Sequence, residues 1–169
     1  IGAVVIESFQ QAAGTAFGAI FILLVLYFRG WKFPLLVLAP IAMTIVLTFA
    51  VCSLLGISLN MANILMVPLI LGLGVDTGIH IVHRHRQTQR EGGGQAMDPA
   101  IRRAVMISGL TTVGTFCSLS LSPHQGAASI GLLLTIAISL LLIISLVLLP
   151  ILLRWFAPVP ASALSLIHI

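Results

Sequence analysis

The sequence predicts an all-α membrane protein, a bundle of five transmembrane helices. Of its 169 residues, 59% are hydrophobic and only 7% are charged, whereas an ordinary soluble domain carries about 25% charged residues. A soluble fold could not cover such a chain with polar surface, so its solvent must be lipid. The apolar runs are also too long and too uniform for the alternating pattern of membrane β-strands, which leaves helices.

Five runs reach the length of a membrane-crossing helix, which needs about 20 apolar residues. The stretches RGWK, GISLN and SPHQG form short turns between them, and a longer polar segment separates the third run from the fourth. The last run is long enough to imply that its helix is tilted or extends beyond the hydrocarbon. The predicted spans, A to E in chain order, are 10–28, 34–55, 61–82, 104–121 and 127–153.

The segments outside the spans are also assigned. We expect residues 1–9 to be the end of an extracytoplasmic segment, and 154–169 to be a cytoplasmic tail whose last residues need not be native. Residues 83–103 are predicted to be a cytoplasmic linker with a short surface helix. In that helix Asp98 would be the N-cap and Pro99 the first helical residue.

The basic residues predict the orientation of the chain. All eight lie in the A–B turn, in the C–D segment or directly after span E, and the B–C and D–E turns have none. By the positive-inside rule, the side that carries them is cytoplasmic. We therefore expect a bacterial inner-membrane protein with its N-terminus outside and its C-terminus inside. The positive charge serves this anchoring and does not indicate nucleic-acid binding.

Asp76 is the only Asp, Glu, Lys or Arg within the five predicted spans. An ionised carboxylate at membrane depth is costly, and such a residue normally faces the interior of the bundle and marks an ion or proton path. We therefore predict that Asp76 is a proton-relay residue. The alternative is a structural acid that stays protonated and hydrogen-bonded to a neighbouring helix.

Polar residues at the same depth are candidates to assist Asp76. His80 lies one helical turn below it on the same face and could pass a proton, or could be an interfacial side chain. Thr111 and Thr112 of span D come level with the acid, as do Thr44 of span B and Ser145 of span E. Threonine in a membrane helix can instead bond its own backbone, so the assignment of Thr111 and Thr112 to the relay is a hypothesis.

Small residues predict that spans C and D touch. Gly74 and Gly78 are four residues apart on span C, and Ser108 and Thr112 have the same spacing on span D. Small residues at this spacing let two helix backbones approach closely. We therefore expect Gly74, Gly78 and Ser108 to form a close-packing face beside Asp76.

Enzyme and metal chemistry are not expected. The spacing of His80, His83 and His85 resembles a metal-binding pattern, but on one helix His85 points away from the other two. No nucleophile, base and acid converge, and no phosphate loop is present. We therefore expect no metal and no cofactor, with protons as the coupling ion.

Three stretches resemble the resistance-nodulation-division superfamily, and most closely its MMPL-type lipid exporters, particularly those associated with hopanoid transport. They are GLGVDTGIHIVHRHR, TTVGTF and SIGLLLTIAISLLLIISLVLLPILL, and the resemblance covers about residues 8 to 155. It implies that the chain is the last five spans of a twelve-span transporter, with Asp76 at the proton-relay position of the second half. The spans lack the relay lysine of drug-exporting relatives.

The resemblance also implies partners and a function. The substrate would be a lipid or another hydrophobic molecule, exported at the expense of the proton gradient. The partners would be membrane lipid, the missing N-terminal half of the same transporter and, in a homo-oligomer, further copies. The alternative function is a sterol-sensing-like module, which belongs to the same superfamily and binds lipid to regulate other proteins without transport.

Overall fold

The computed structural model describes residues 2–57, 66–90 and 99–156. Over these ranges the chain forms five α-helices and no strand, which confirms the predicted all-α class. In chain order they are α1 (Gly2–Phe28), α2 (Lys32–Leu54), α3 (Met66–Arg90), α4 (Pro99–Ser120) and α5 (Gln125–Phe156).

Two of these helices extend into the segment that hydropathy predicts to be a linker. Helix α3 continues through residues 83–90, and the predicted surface helix is the first part of α4. The reason is that a fall in hydropathy does not end a helix, because Arg and Gln are good helix formers. Pro99 is the first described residue of α4, and residues 58–65, 91–98 and 157–169, including Asp98, lie outside the described residues. The predicted N-cap and first helical position therefore stay a prediction.

Four of the described helices are long and apolar enough to cross a membrane, by length and composition, and the chain is an integral membrane protein. They contain the candidate spans Gln11–Phe28, Lys32–Leu54, Met66–Gln87 and Gln125–Leu153. Helix α4 is more polar because it begins near two arginines and carries many Ser, Thr and Gly residues. That α4 also crosses the membrane therefore stays a prediction.

The core of the bundle lies between α2, α3 and α5, which pack against one another, while α1 packs on α2 and α3. Fully buried apolar residues such as Val37, Ile70 and Ala137 fill this core, one from each of its three helices. Helix α4 packs almost entirely on α5 and barely contacts α3. The space between α3 and α4 is therefore open.

The close-packing glycines of α3 face α2, so the predicted contact of Gly74 and Gly78 with span D is wrong. A Cβ added at Gly74 would lie 2.6 Å from Cγ1 of Ile41, and one at Gly78 would lie 2.6 Å from Cγ1 of Val37. Ser108 is exposed on α4. The spacing shows that one face of a helix carries small residues, but it does not show which neighbouring helix packs against that face.

The end of α1, which Arg29 follows, lies beside the part of α3 that carries Arg84 and Arg86, and we call this the basic end of the bundle. There Tyr27 Oη lies 3.0 Å from His83 Nδ1, which ties the end of α1 to α3. The guanidinium of Arg86 also lies over the rings of Phe28 and Phe33, at 5.9 and 5.0 Å from their centroids. These contacts hold the last turn of α1 and the first turn of α2 against α3, as the charge distribution predicts for helix ends that lie on the same side.

Candidate functional site

A groove of about 540 Å³ lies between α3 and α4, with α5 as its floor. Its volume can hold on the order of ten to twenty water molecules. The three walls differ in chemistry, since α3 contributes most of the polar groups, α4 mainly small side chains and α5 only apolar ones. The lining residues of α5 are Ile138, Leu141 and Leu142, and those of α4 are Ala100, Ala104, Val105, Ser108, Gly109 and Thr112.

Asp76 lies within α3 and opens into this groove. It belongs to the candidate span Met66–Gln87 and precedes Arg84, on the same helix, by eight residues, or about 12 Å. The hydrocarbon core of a bilayer is about 30 Å thick. In a membrane, the carboxylate would therefore lie within the hydrocarbon region.

The carboxylate of Asp76 is not enclosed by these five helices. Its side chain is 75% exposed, so the expectation that it faces the packed interior of this bundle is wrong. The buried face of α3 consists of glycines and apolar residues, among them Ile70 and Gly74, together with His85. Asp76 is placed beside that face, toward α4, where the groove admits water and leaves room for other protein.

His80 is beside Asp76 in the groove, as their spacing predicted. Its Nε2 atom lies 3.5 Å from Oδ1 of Asp76, with the imidazole 71% exposed. The two groups form an ion pair only when His80 is protonated. His80 lies one helical turn closer than Asp76 to the basic end of the bundle.

The polar face of α3 continues beyond His80 through two residues that are not among the sequence-predicted site residues. Arg84 and Gln87 line the same groove, and Nη1 of Arg84 donates a hydrogen bond to Oε1 of Gln87 at 3.0 Å. Steps of four, eight and eleven residues from Asp76 keep side chains on one helix face. The helical period could identify both residues, but the hydropathy pattern places them in a linker.

The two predicted threonines are separated by the structure. Thr112 lines the groove, whereas Thr111 is exposed elsewhere on α4 and is not among the lining residues. Both hydroxyls donate to the carbonyl oxygen of Ser108, at 2.7 Å from Thr111 and 2.9 Å from Thr112. Thr77, which sequence reasoning missed, also lines the groove and donates to the carbonyl of Leu73 at 2.9 Å.

The other hydroxyls at the level of Asp76 face away from it. Thr44 and Ser145 are buried in the bundle and do not line the groove. Thr44 donates to the carbonyl oxygen of Pro40 at 2.8 Å. Equal depth along neighbouring helices therefore does not imply contact, because each helix presents a different face to α3.

The three histidines of α3 lie in three different environments. His80 is in the groove, the imidazole of His83 contacts Tyr27 of α1, and His85 is buried. The part of the chain that the structure describes contains no cluster of three or more His, Cys, Asp or Glu side chains that could hold a metal ion. The groove is thus a site with one carboxylate, one imidazole and one guanidinium among its described lining residues.

Comparison with known proteins identifies the family. The sequence profile of the MMPL family matches residues 5–162. The chain belongs to the MMPL family. This agrees with the resemblance carried by the stretch around Asp76.

Proteins of other organisms are similar to this chain over most of its length. A protein of Methanocaldococcus jannaschii that is named as a membrane protein is 35% identical over 151 residues. The hopanoid transporters HpnN of Rhodopseudomonas palustris and Burkholderia multivorans are 39% and 36% identical, over 137 and 148 residues. These alignments cover 85%, 81% and 88% of this chain but only 38%, 15% and 16% of the relatives. The chain thus spans a small part of the length of the relatives that it matches.

Proposed function

We propose that this MMPL-family chain is the proton-translocating membrane portion of a proton-driven exporter of lipids or other hydrophobic substrates. The observation that carries the proposal is the position of Asp76, a carboxylate within a candidate membrane span, facing a groove with His80 as its neighbour. Intramembrane ionisable residues of this kind are typical of proton paths. The similarity to two proteins named as hopanoid transporters supports a lipidic substrate.

In the proposed mechanism, Asp76 takes up a proton that enters from outside. It transfers that proton to Nε2 of His80 or to water in the groove, and His80 then releases it toward the cytoplasm. Ionised Asp76 requires water around it, whereas the neutral acid tolerates apolar contacts. Since α4 barely contacts α3, the two protonation states can favour wider and narrower spacings of these helices.

The other regions that export requires would come from parts of the transporter outside this chain. The exposed carboxylate and the unfilled groove leave room for helices of a first half, and the relatives are several times longer than this chain. We propose that the first half of the transporter and its extracytoplasmic regions bind and move the substrate. The bacterial inner membrane, the outside N-terminus and any homo-oligomer belong to the same proposal.

Replacing Asp76 tests the proposal in the full reading frame that contains this chain. Asp76→Asn keeps the shape of the side chain and removes the ionisable oxygen. We expect membrane insertion to be retained and export of a labelled hopanoid or related lipid from proteoliposomes to be lost. Glu7→Gln, which neutralises an exposed carboxylate of α1 outside the groove, is the matched control. Normal export by Asp76→Asn would refute the proposal.

A second candidate function is a sterol-sensing-like module that binds lipid and does not transport it. The apolar floor formed by Ile138, Leu141 and Leu142 favours this candidate, because a lipid chain could lie on it. Binding of a photoreactive sterol or hopanoid separates the two functions. A regulatory module would bind the probe equally well in Asp76→Asn and without a proton gradient, whereas the exporter would show binding that depends on both.

A further inference from the structure

A second pocket, of about 450 Å³, lies at the basic end of the bundle between α1 and α3. Its described lining residues are Tyr27 of α1 and His83, Arg86 and Gln87 of α3. Of these four, Gln87 alone also lines the groove that contains Asp76. All four side chains carry hydrogen-bonding groups, and none of the four is a carboxylate. The pocket is therefore a polar site at the ends of two apolar helices.

Aromatic rings hold the guanidinium of Arg86 at this pocket. Its central carbon lies 5.9 Å from the ring centroid of Phe28 and 5.0 Å from that of Phe33, and the centroids of these two rings are 5.6 Å apart. Arg86 is half-buried. Cation–π contacts fix the position of a guanidinium without accepting conventional hydrogen bonds from its N–H groups. Arg86 is thus held in place with donors that a ligand can use.

No described carboxylate neutralises Arg86. Within the part of the chain that the structure describes, the acidic residues are Glu7 and Asp76. Oδ1 of Asp76 lies 3.5 Å from Nε2 of His80, in the other groove, and Glu7 precedes Tyr27 on α1 by twenty residues, or about 30 Å. Because a charge that is partly removed from water is normally paired, the described residues supply the cation of an ion pair here and not its anion.

Tyr27 and His83 add hydrogen-bonding groups to the same pocket. Oη of Tyr27 lies 3.0 Å from Nδ1 of His83, and the centroids of the two rings are 6.3 Å apart. When the hydroxyl donates to Nδ1, the neutral imidazole carries its proton on Nε2, and that N–H group can donate to an oxyanion. Together with the guanidinium of Arg86, the pocket offers a fixed positive charge and several N–H donors, a set of groups that is complementary to a phosphate.

We propose that this pocket binds the phosphate of an anionic phospholipid of the membrane, with Arg86 as its principal contact. The phosphodiester of such a lipid has two unesterified oxygens, which two N–H groups of one guanidinium can bind side by side. Tyr27 and Gln87 are at the ends of the candidate spans Gln11–Phe28 and Met66–Gln87, so the pocket lies near the depth of the lipid headgroups. Basic pockets between membrane helices bind anionic headgroups. The bound lipid bridges α1 and α3, and it does not have to be an export substrate.

The surroundings of the pocket favour a lipid over a soluble phosphate. Leu23 lies one helical turn before Tyr27 on the same face of α1, and both are exposed. An acyl chain attached to the phosphate can lie along this face, whereas a soluble anion gains nothing there. Trp31, exposed after the end of α1, is of a residue type that is enriched at the level of the headgroups. The exposed cations Arg29 and Lys32 on either side of it attract anionic lipid to the same end of the bundle.

Lipid binding to the purified product of the full reading frame tests the proposal. The protein in neutral detergent is titrated with phosphatidylglycerol, or with phosphatidylcholine of the same acyl chains, and native mass spectrometry measures the bound lipid. We expect phosphatidylglycerol to bind more tightly than phosphatidylcholine. Arg86→Gln should weaken phosphatidylglycerol binding about ten- to a hundredfold, because charge-assisted hydrogen bonds are lost. Arg86→Lys keeps the charge but not the paired N–H groups, and its loss should be smaller.

Arg103→Gln is the matched control. It removes the same charge from an exposed position of α4 that lines neither pocket, and it should leave phosphatidylglycerol binding unchanged. An equal loss of binding in Arg86→Gln and Arg103→Gln, or equal binding of the two lipids to the unchanged protein, overturns the proposal. Displacement of the lipid by an equal concentration of free glycerol phosphate indicates a site for a soluble anion and also overturns it.

A second measurement uses the unchanged protein, so it does not depend on the folding of a variant. Phosphatidylglycerol with a photoreactive group next to its headgroup is added to phosphatidylcholine vesicles that contain the full protein, and mass spectrometry locates the adducts after illumination. Adducts are expected on the segments that carry Tyr27 and His83, and unlabelled phosphatidylglycerol should suppress them. Adducts of equal yield at Trp155, which is exposed near the end of α5, or a lack of adducts at the pocket, overturns the proposal.

Discussion

Gly131 fixes the distance between α4 and α5, and its replacement by alanine should separate these helices. A Cβ at this position would contact the backbone nitrogen of Ser120 and would lie 2.7 Å from the carbonyl carbon of Leu119. These are backbone atoms, which cannot rotate away as a side chain can. Since α4 packs almost entirely on α5, the shift would also move the α4 wall of the groove.

The expected change in the free energy of unfolding follows from these contacts. To reach ordinary contact at 3.4 Å or more, the end of α4 must move by roughly 1 Å, and overpacking of this kind costs about 1–3 kcal/mol. Alanine gains about 0.5–1 kcal/mol over glycine within a helix. We therefore expect Gly131→Ala to lower the free energy of unfolding by about 0.5–2 kcal/mol.

Reversible unfolding in mixed micelles with increasing dodecyl sulfate measures this difference. Gly114→Ala is the matched control, because a Cβ there meets nothing within 4 Å and should raise the free energy of unfolding by up to about 1 kcal/mol. In the full reading frame, Gly131→Ala should also reduce export. If Gly131→Ala proved as stable as Gly114→Ala, the close approach of α4 and α5 at this glycine would be refuted.

Two further contacts yield predictions of the same kind. Tyr27→Phe removes the hydrogen bond to His83 and should cost about 0.5–1 kcal/mol of unfolding free energy, but nothing in a His83→Ala background; an equal loss in both backgrounds would contradict the contact. Gly78→Ala places a Cβ 2.6 Å from Cγ1 of Val37 and should cost about 1–3 kcal/mol. Adding Val37→Ala, which removes the clashing methyl groups, should recover part of that loss in the same unfolding assay, and failure to do so would argue against this packing of α2 on α3.

Much of the fold can be predicted from hydropathy alone, because long apolar runs have few options in a membrane. Spans B and E differ from α2 and α5 by no more than three residues at either end. The main differences lie at residues 83–103 and at residues 2–9, where α1 already begins before span A. In both places hydropathy marks the expected edge of the membrane but not the end of a helix. The continuation of α3 to Arg90 depends on helix propensity, which a span search does not weigh.

The candidate site can be predicted only in part. The sequence of one helix shows which residues share a face of that helix, but not which neighbouring helix that face contacts. The spacing of Asp76 and His80 is enough to place them one turn apart on the same face of α3. The partner of Gly78 and the separation of Thr111 from the groove depend on how helices are rotated against one another. Arg84 lies on the same face of α3 as Asp76, but an analysis of charge along the sequence uses it only to orient the helix in the membrane.

The central claim, that Asp76 gains and loses a proton within the groove, is tested most directly by its reaction with dicyclohexylcarbodiimide. This reagent is hydrophobic and modifies carboxyl groups in their protonated form, and mass spectrometry can locate the adduct. The account predicts an adduct on Asp76 that forms at low pH, declines as the pH is raised and is not matched by Glu7. An Asp76 that stays unmodified at every pH, or is modified equally at all of them, would contradict the account.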